Sequence, residues 1–168
     1  FKAAAAEKET SALASEEPLE KSEDGKQLSA AISHWTAKKA YSKVVEVCKT
    51  YMDKDCWEDA FTAIIMCYLR MNNENEELGY LNELRVFVEK YADREVKALK
   101  ALEALQQYYM KTQQYAETIR ILNRLMERCD PGEHGKILHY LQGKGRCYRE
   151  IKDYPSAISE LLDWLDIV

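Results

Sequence analysis

The same arrangement of aromatic and apolar residues recurs four times along this 168-residue chain. The recurrences are anchored at Trp35, Tyr68, Tyr109 and Tyr148, which are 33, 41 and 39 residues apart. A large apolar residue lies seven positions before each anchor, and in three units a tyrosine lies six positions after it. Self-similarity with a period of about 20 to 50 residues is typical of repeat proteins. It therefore restricts the fold more than any single motif does.

Each unit predicts two amphipathic helices joined by a turn. Positions −7 and 0 relative to the anchor share one face of a first helix, and positions +9, +10 and +13 share one face of a second. Neither helix can bury its apolar stripe alone, so the units must stack. We predict about eight helices of roughly 12 to 19 residues. The predicted breaks lie near residue 40 and at 53–55, 72–75, 92–93, 112–114, 129–132 and 152–153.

Composition excludes several other classes of protein. Six Gly and three Pro are too few for an all-β fold, which needs frequent turns. With 46% apolar and 32% charged residues the chain can form a core, which excludes wholesale disorder. The longest apolar run, residues 63–69, is far below the ~20 residues of a membrane span. A net charge of −5 with no Lys/Arg block argues against direct nucleic-acid binding and against an anionic membrane as the main partner.

The repeat resembles the tetratricopeptide family, whose units carry an aromatic residue late in the first helix, another at the turn and a small residue early in the second helix. Segment 152–158, Lys-Asp-Tyr-Pro-Ser-Ala-Ile, matches that turn closely, and segment 113–119, Gln-Gln-Tyr-Ala-Glu-Thr-Ile, matches it more loosely. The resemblance implies an all-α fold: an α-solenoid of about four degenerate helix-turn-helix repeats in a right-handed superhelix. The chain departs from the family where a small residue is expected three positions before the anchor, because only Gly145 fits.

The predicted domain organisation has two parts. Residues 1–26 hold four Lys and seven Asp/Glu, with Phe1 as their only aromatic residue, and are predicted to be an acidic linker or partly disordered leader. Residues 27–168 are predicted to form the repeat domain, with repeats near 27–54, 55–93, 94–131 and 132–168. Because residue 1 is Phe, we expect the chain to be a fragment or a processed form. The last helix is rich in apolar residues to its end, so we expect further repeats or a partner to cover it.

Five cysteines, an odd number with no Cys-x-x-Cys motif, favour a reducing compartment, where Cys behaves as a small buried hydrophobe. The sequence therefore predicts a cytoplasmic or nuclear protein.

The residues that could carry chemistry form no catalytic pattern. Cys129, His134 and His139 follow each other at five-residue intervals, which does not place the two imidazoles on one helical face, so no metal site is predicted. Segment 142–146, Gln-Gly-Lys-Gly-Arg, lies inside a helical pattern rather than after a strand, so it is not a phosphate loop. Its glycines are predicted to allow close helix packing. The sequence predicts no enzyme activity, no catalytic residue and no cofactor.

The resemblance implies a concave groove lined by the first helices. A cationic stripe with Gln and Met neighbours suits an extended acidic or C-terminal peptide. The predicted groove residues are Thr62, Met66, Arg70, Glu103, Gln107, Lys111, His139, Gln142, Arg146 and Arg149. The family's clamp for chaperone tails aligns with Ser29, Ser33, Ala63, Lys100 and Ala104. Only Lys100 conforms, so a chaperone-tail function is not expected.

The predicted function is a non-enzymatic protein–protein interaction scaffold or adaptor that binds a peptide or partner subunit in the groove and through exposed terminal helices. Three alternatives stay open. The chain could be a helical-repeat subunit of a large multiprotein assembly, a bacterial envelope tetratricopeptide lipoprotein, or the regulatory repeat arm of an enzyme whose catalytic domain lies elsewhere.

Overall fold

The computed structural model describes residues 21–167, which form eight α-helices and one 3₁₀-helix and no strand. This confirms the all-α class. The elements are α1 (Glu23–Ala37), α2 (Tyr41–Lys49), α3 (Trp57–Glu74), the 3₁₀-helix (Glu76–Leu78), α4 (Tyr80–Lys90), α5 (Leu99–Lys111), α6 (Tyr115–Glu127), α7 (His134–Glu150) and α8 (Tyr154–Ile167). With nine and eleven residues, α2 and α4 are shorter than predicted.

The described chain divides into two compact units, residues 21–108 and 109–167. In the first unit α2 packs against α1 and α3, and α3 also packs against α4. In the second unit α7 packs against both α6 and α8. Within each unit these helices pack on their neighbours in sequence, which is compatible with helix-turn-helix repeats. Solenoid stacking and handedness stay predictions.

Three of the four turns between paired helices have the same backbone geometry. The residue four positions after the anchor, Lys39, Gln113 or Lys152, is left-handed, with φ of 55°, 59° and 63°. The next backbone N–H donates to the anchor's carbonyl in each case, from Ala40 to Trp35 (2.9 Å), from Gln114 to Tyr109 (2.8 Å) and from Asp153 to Tyr148 (2.8 Å). This is the Schellman ending of a helix, which usually has glycine at the left-handed position. The sequence repeat is thus also a repeat of turn geometry.

The second repeat lacks this turn. The predicted break at 72–75 is wrong for its first three residues, because α3 continues to Glu74 and Asn72 is buried. Helix α3 is followed by the 3₁₀-helix, and Gly79, with φ of 72°, is the N-cap residue that precedes α4. Glycine is favoured there because a side chain strains this conformation. The departure follows from the sequence, since Glu74 replaces the turn tyrosine.

The first helix, α1, begins at Glu23 and therefore includes residues 23–26 of the proposed leader. Segment 22–25, Ser-Glu-Asp-Gly, begins this helix, with Ser22 as its N-cap. Ser22 Oγ accepts the Gly25 N–H at 3.1 Å and donates to Asp55 Oδ1 at 2.9 Å. A serine N-cap followed by acidic residues is a common helix start. The leader prediction for residues 1–20 lies outside the described residues.

A polar clamp ties the segment between α4 and α5 to α3. Glu58 on α3 accepts the backbone N–H groups of Lys97 (2.9 Å) and Ala98 (2.6 Å), just before α5 begins. The Arg94 guanidinium donates to the carbonyl of Met52 and lies 5.1 Å from the Trp57 ring centroid. These contacts provide hydrogen-bond partners for backbone groups that have no partner within a helix.

In the second unit the core lies on both sides of α7. Gly143 brings α7 close to α6, because a Cβ built on it would lie 3.2 Å from Leu122 Cδ1. A Cβ at Gly145 would meet nothing within 4 Å. The prediction that the glycines allow close helix packing is therefore confirmed for Gly143 and wrong for Gly145. Lys144 on the same helix pairs with Glu160 of α8 at 2.7 Å.

The eighth helix has a well-made start but little buried surface. Asp153 caps it, accepting the Ser156 N–H at 3.3 Å and the Ser156 hydroxyl at 2.7 Å. Among the residues of α8 that are described, only Ala157 is fully buried. The turn tyrosine of this repeat, Tyr154, is 55% exposed. Most of α8 therefore faces away from the core of its own unit.

Candidate interaction surfaces

Five predicted groove residues lie on α3 and α5 in the first unit. Thr62 and Glu103 are half-buried, while Met66, Arg70 and Gln107 are exposed. The Thr62 hydroxyl donates to the carbonyl of Glu58 at 2.8 Å. Arg70 Nη1 donates to the Tyr41 hydroxyl at 2.8 Å, and its guanidinium carbon lies 5.1 Å from that ring centroid. Arg70 therefore also joins α3 to the start of α2.

The other five predicted groove residues lie in the second unit. All are exposed, at the last position of α5 or along α7: Lys111, His139, Gln142, Arg146 and Arg149. The two sets are described within their own units, and a single groove through both remains a prediction.

A cavity of about 200 Å³ lies where the first helices α1 and α3 meet the start of α5. Its polar lining includes Lys21, Ser29, Asp59, Thr62 and Lys100. Lys21 Nζ donates to the Ser29 hydroxyl at 3.3 Å. Small-molecule sites usually occupy ~300 to 1,000 Å³, so this volume suits one side chain or a chain terminus. Two lysines against one aspartate favour an anionic group.

Three positions aligned with the family's carboxylate clamp, Ser29, Ala63 and Lys100, line this same cavity. Only Lys100 has a cationic side chain. Lys21, which sequence alignment of the repeats did not select, supplies the second cation. It could not be found by repeat spacing because it precedes α1.

A larger cavity of about 550 Å³ lies among α2, α3 and α4. Lys49 Nζ donates to the Tyr68 hydroxyl at 3.2 Å and lies 5.7 Å from that ring centroid. Lys90 lies 5.4 Å from the centroid of Tyr91, and the exposed Val86 completes an apolar edge. Sequence reasoning missed this cavity, because its lining comes from three helices that repeat spacing does not relate.

A third cavity, of about 620 Å³, lies among α6, α7 and α8 in the second unit. Its acidic lining residues are Glu127, Glu160, Asp163 and Asp166, and its only basic one is Lys144. The Lys144 and Glu160 side chains are 11% and 12% exposed, and one Glu160 oxygen is buried with no hydrogen-bond partner. Carboxylates thus predominate beside α8.

The cysteines behave as buried hydrophobes, as predicted. Cys48, Cys67, Cys129 and Cys147 are buried and Cys56 is half-buried, and all five are free thiols. Burial raises the pKa of Cys48 to about 12 and the pKa values of Cys67 and Cys147 to about 11. These three thiols stay protonated near neutral pH, so they are weak nucleophiles.

Within residues 21–167 no group of three or more His, Cys, Asp or Glu side chains is placed to hold a metal ion. No helix in that part of the chain is both long enough and apolar enough to cross a membrane.

No known protein-family profile matches the chain, and no curated protein sequence matches it significantly.

Proposed function

We propose that this protein is a non-enzymatic interaction scaffold or adaptor with tetratricopeptide-like repeats. It binds a peptide or partner subunit along its first helices and a second protein surface through its last helix. One observation carries the proposal: α1, α3 and α5, the first helices of three successive repeats, contribute to one cavity that holds Lys21 and Lys100.

The chemistry of that cavity favours an anionic end group. A carboxylate entering it would replace water around two ammonium groups and form charge-assisted hydrogen bonds, which are about twice as strong as neutral ones. The hydroxyls of Ser29 and Thr62 add polar contacts at the wall. Arg70 on α3 extends the cationic character beyond the cavity. The ligand proposed here is an acidic segment or a C-terminal carboxylate of a protein partner.

A second candidate function is that of a subunit in a large multiprotein assembly. The exposed apolar side chains of α8 favour it, because large apolar patches on a protein surface mark interaction sites. In this case the last helix is a permanent interface rather than a regulated one. A cytoplasmic or nuclear location belongs to the same proposal.

The test compares partner recovery by the chain and three variants in quantitative affinity purification. Lys100→Glu removes one cavity cation, and Arg70→Glu with Lys111→Glu reverses the charge of two predicted groove residues. Lys54→Glu with Arg85→Glu is the charge-matched control, because both residues are exposed and neither lines the first-helix cavity.

We expect recovery of the main partner to fall by at least about tenfold for Lys100→Glu and for the groove double variant, and not for the control. Circular dichroism verifies folding, since Arg70→Glu also removes the hydrogen bond to Tyr41. Equal recovery from all four proteins would refute binding through this surface.

A further inference from the structure

The eighth helix presents a continuous apolar stripe to solvent. Ile158, Leu161, Leu162 and Leu165 are each 54–60% exposed, and their i, i+3, i+4, i+7 spacing places them on one helical face. Tyr154, one turn before Ile158, extends the face. Single exposed apolar residues are normal, whereas a contiguous row of this kind indicates a binding surface. We call these five residues the α8 face.

The same unit contains a covered copy of this face. Thirty-nine positions earlier, Ile119, Leu122 and Met126 of α6 stand where Ile158, Leu161 and Leu165 stand in α8. All three are buried, and α7 packs on α6 with Gly143 against Leu122. In α6, these positions are therefore covered by an amphipathic helix, α7.

The negative charge of α8 indicates which kind of helix can bind it. Residues 154–167 include Glu160, Asp163 and Asp166 and no Lys or Arg. Glu160 is paired with Lys144, but neither Asp163 nor Asp166 forms an ion pair within the described residues. The C-terminal end of a helix adds partial negative charge. Helical geometry places Asp166 at the edge of the α8 face, whereas Asp163 lies on the opposite side of α8 and lines the cavity shared with α6 and α7. A helix that docks here thus meets an apolar face with an uncompensated carboxylate at its C-terminal edge.

We propose that the α8 face binds a basic amphipathic α-helix of a protein partner. Its apolar residues, spaced i, i+3, i+4 and i+7, pack on the α8 face, and a flanking Lys or Arg residue pairs with Asp166 at the edge of that face. The covering helix α7 has this chemistry, with Lys136, Lys144, Arg146 and Arg149 against Glu150. A second copy of the chain is a poorer occupant, because pairing two α8 helices brings like charges together.

This inference deepens the scaffold function proposed above and specifies the partner at its last helix. The probe is a labelled helix-forming peptide of about 18 residues, with Leu on one face and Lys on both flanks. A second peptide has Glu in place of each Lys. Binding to the 168-residue chain is measured by fluorescence anisotropy at low salt and at about 0.5 M salt.

We expect the Lys peptide to bind at least about tenfold more tightly than the Glu peptide and to weaken at high salt. Leu161→Asp with Leu165→Asp should weaken it by at least about tenfold. Asp166→Lys should reduce or reverse the preference for Lys, whereas Asp163→Lys, on the opposite side of α8, should leave it unchanged. Leu78→Asp, an exposed apolar position in the 3₁₀-helix that lines none of the three cavities, is the control and should bind normally.

The proposal is overturned if the two peptides bind equally, if neither binds, or if Leu161→Asp with Leu165→Asp binds like the unchanged chain. It is also overturned if sedimentation shows a dimer of the chain that the same double variant dissociates. Failure of this proposal can be distinguished from failure of the proposed groove function. Arg70→Glu with Lys111→Glu should lose only the groove partner, and the α8 variants should lose only the basic helix.

Discussion

Helices α6 and α8 are the second helices of successive repeats in the same compact unit, yet their corresponding faces have opposite environments. Leu122 on α6 is 2% exposed, whereas Leu161, at the same repeat position on α8, is 54% exposed. Both sequences carry the amphipathic pattern, and both helices follow a turn with the same Schellman geometry. The difference is that α7 packs on this face of α6, whereas it contacts α8 on the opposite face, through Glu160. The repeat pattern therefore predicts which positions can be buried, and the presence of a neighbour decides whether they are.

The matched substitutions Leu122→Ala and Leu161→Ala test this comparison most strongly. Leu122→Ala should destabilise the protein by about 2 to 5 kcal/mol, because it removes buried methyl groups and leaves a cavity. Leu161→Ala should change the free energy of unfolding by less than about 0.5 kcal/mol, as is usual at exposed positions. Urea unfolding followed by circular dichroism measures both, and equal losses would mean that α8 is covered in the isolated chain.

The Lys144–Glu160 pair tests the other side of α7, where α8 packs. Lys144→Met should cost about 2 to 4 kcal/mol, because it leaves a nearly buried carboxylate without its cation. Adding Glu160→Leu should recover most of that loss, since replacing both partners of a buried pair by apolar residues is often neutral. Thermal unfolding of the two variants gives the answer. If the double variant were as unstable as Lys144→Met, the ion pair would itself stabilise the fold rather than only neutralise two nearly buried charges.

The two glycines of α7 provide a smaller test on one helix. Gly145→Ala should stabilise the protein by about 0.5 to 1 kcal/mol through helix propensity, because its side chain would meet open space. At Gly143 the same gain should be cancelled by the contact with Leu122 at 3.2 Å. The difference between their unfolding free energies is the readout. If Gly143→Ala stabilised the protein as much as Gly145→Ala, then α6 and α7 would not be in close contact.

The smallest expected effects concern the turns that precede α6 and α8. Gln113→Gly and Lys152→Gly should each stabilise the protein by about 0.5 to 1 kcal/mol, because glycine adopts a positive φ without the cost of a side chain. Met110→Gly, inside α5, should destabilise it by about 1 kcal/mol and serves as the control. Similar gains in the free energy of unfolding at both positions would support the equivalence of the two turns. A gain at one turn and a loss at the other would contradict it.

Helix number and most helix breaks could be predicted because amphipathic spacing and turn residues are local properties of a sequence. The errors have equally local causes. Ser-Glu-Asp-Gly at 22–25 contains both a turn signal and a helix cap, and the hydrogen bond from Gly25 to Ser22 decides for the cap. Asn72 favours a break in isolation, but its burial in α3 outweighs that preference.

The candidate surfaces were predicted less completely. Repeat spacing selected Thr62 as a groove residue, and the structure places it at a cavity among the first helices. Repeat spacing could not select Lys21, which lines the same cavity, because Lys21 precedes the first repeat. Arg70 was selected as a groove cation, and its hydrogen bond to Tyr41 depends on how α3 packs against α2. The acidic cavity beside α8 combines residues of three helices, which no one-dimensional pattern brings together.

The sequence by itself determined the all-helical class, the four anchored repeats and the apolar stripe of each helix, because these depend on side-chain type and on spacing within about four residues. Only the tertiary structure decided which stripes are covered. Burial requires a second helix at contact distance, and α7 supplies one to α6, whereas no described helix buries the α8 face. The same local pattern therefore stabilises the core at Leu122 and leaves Leu161 exposed.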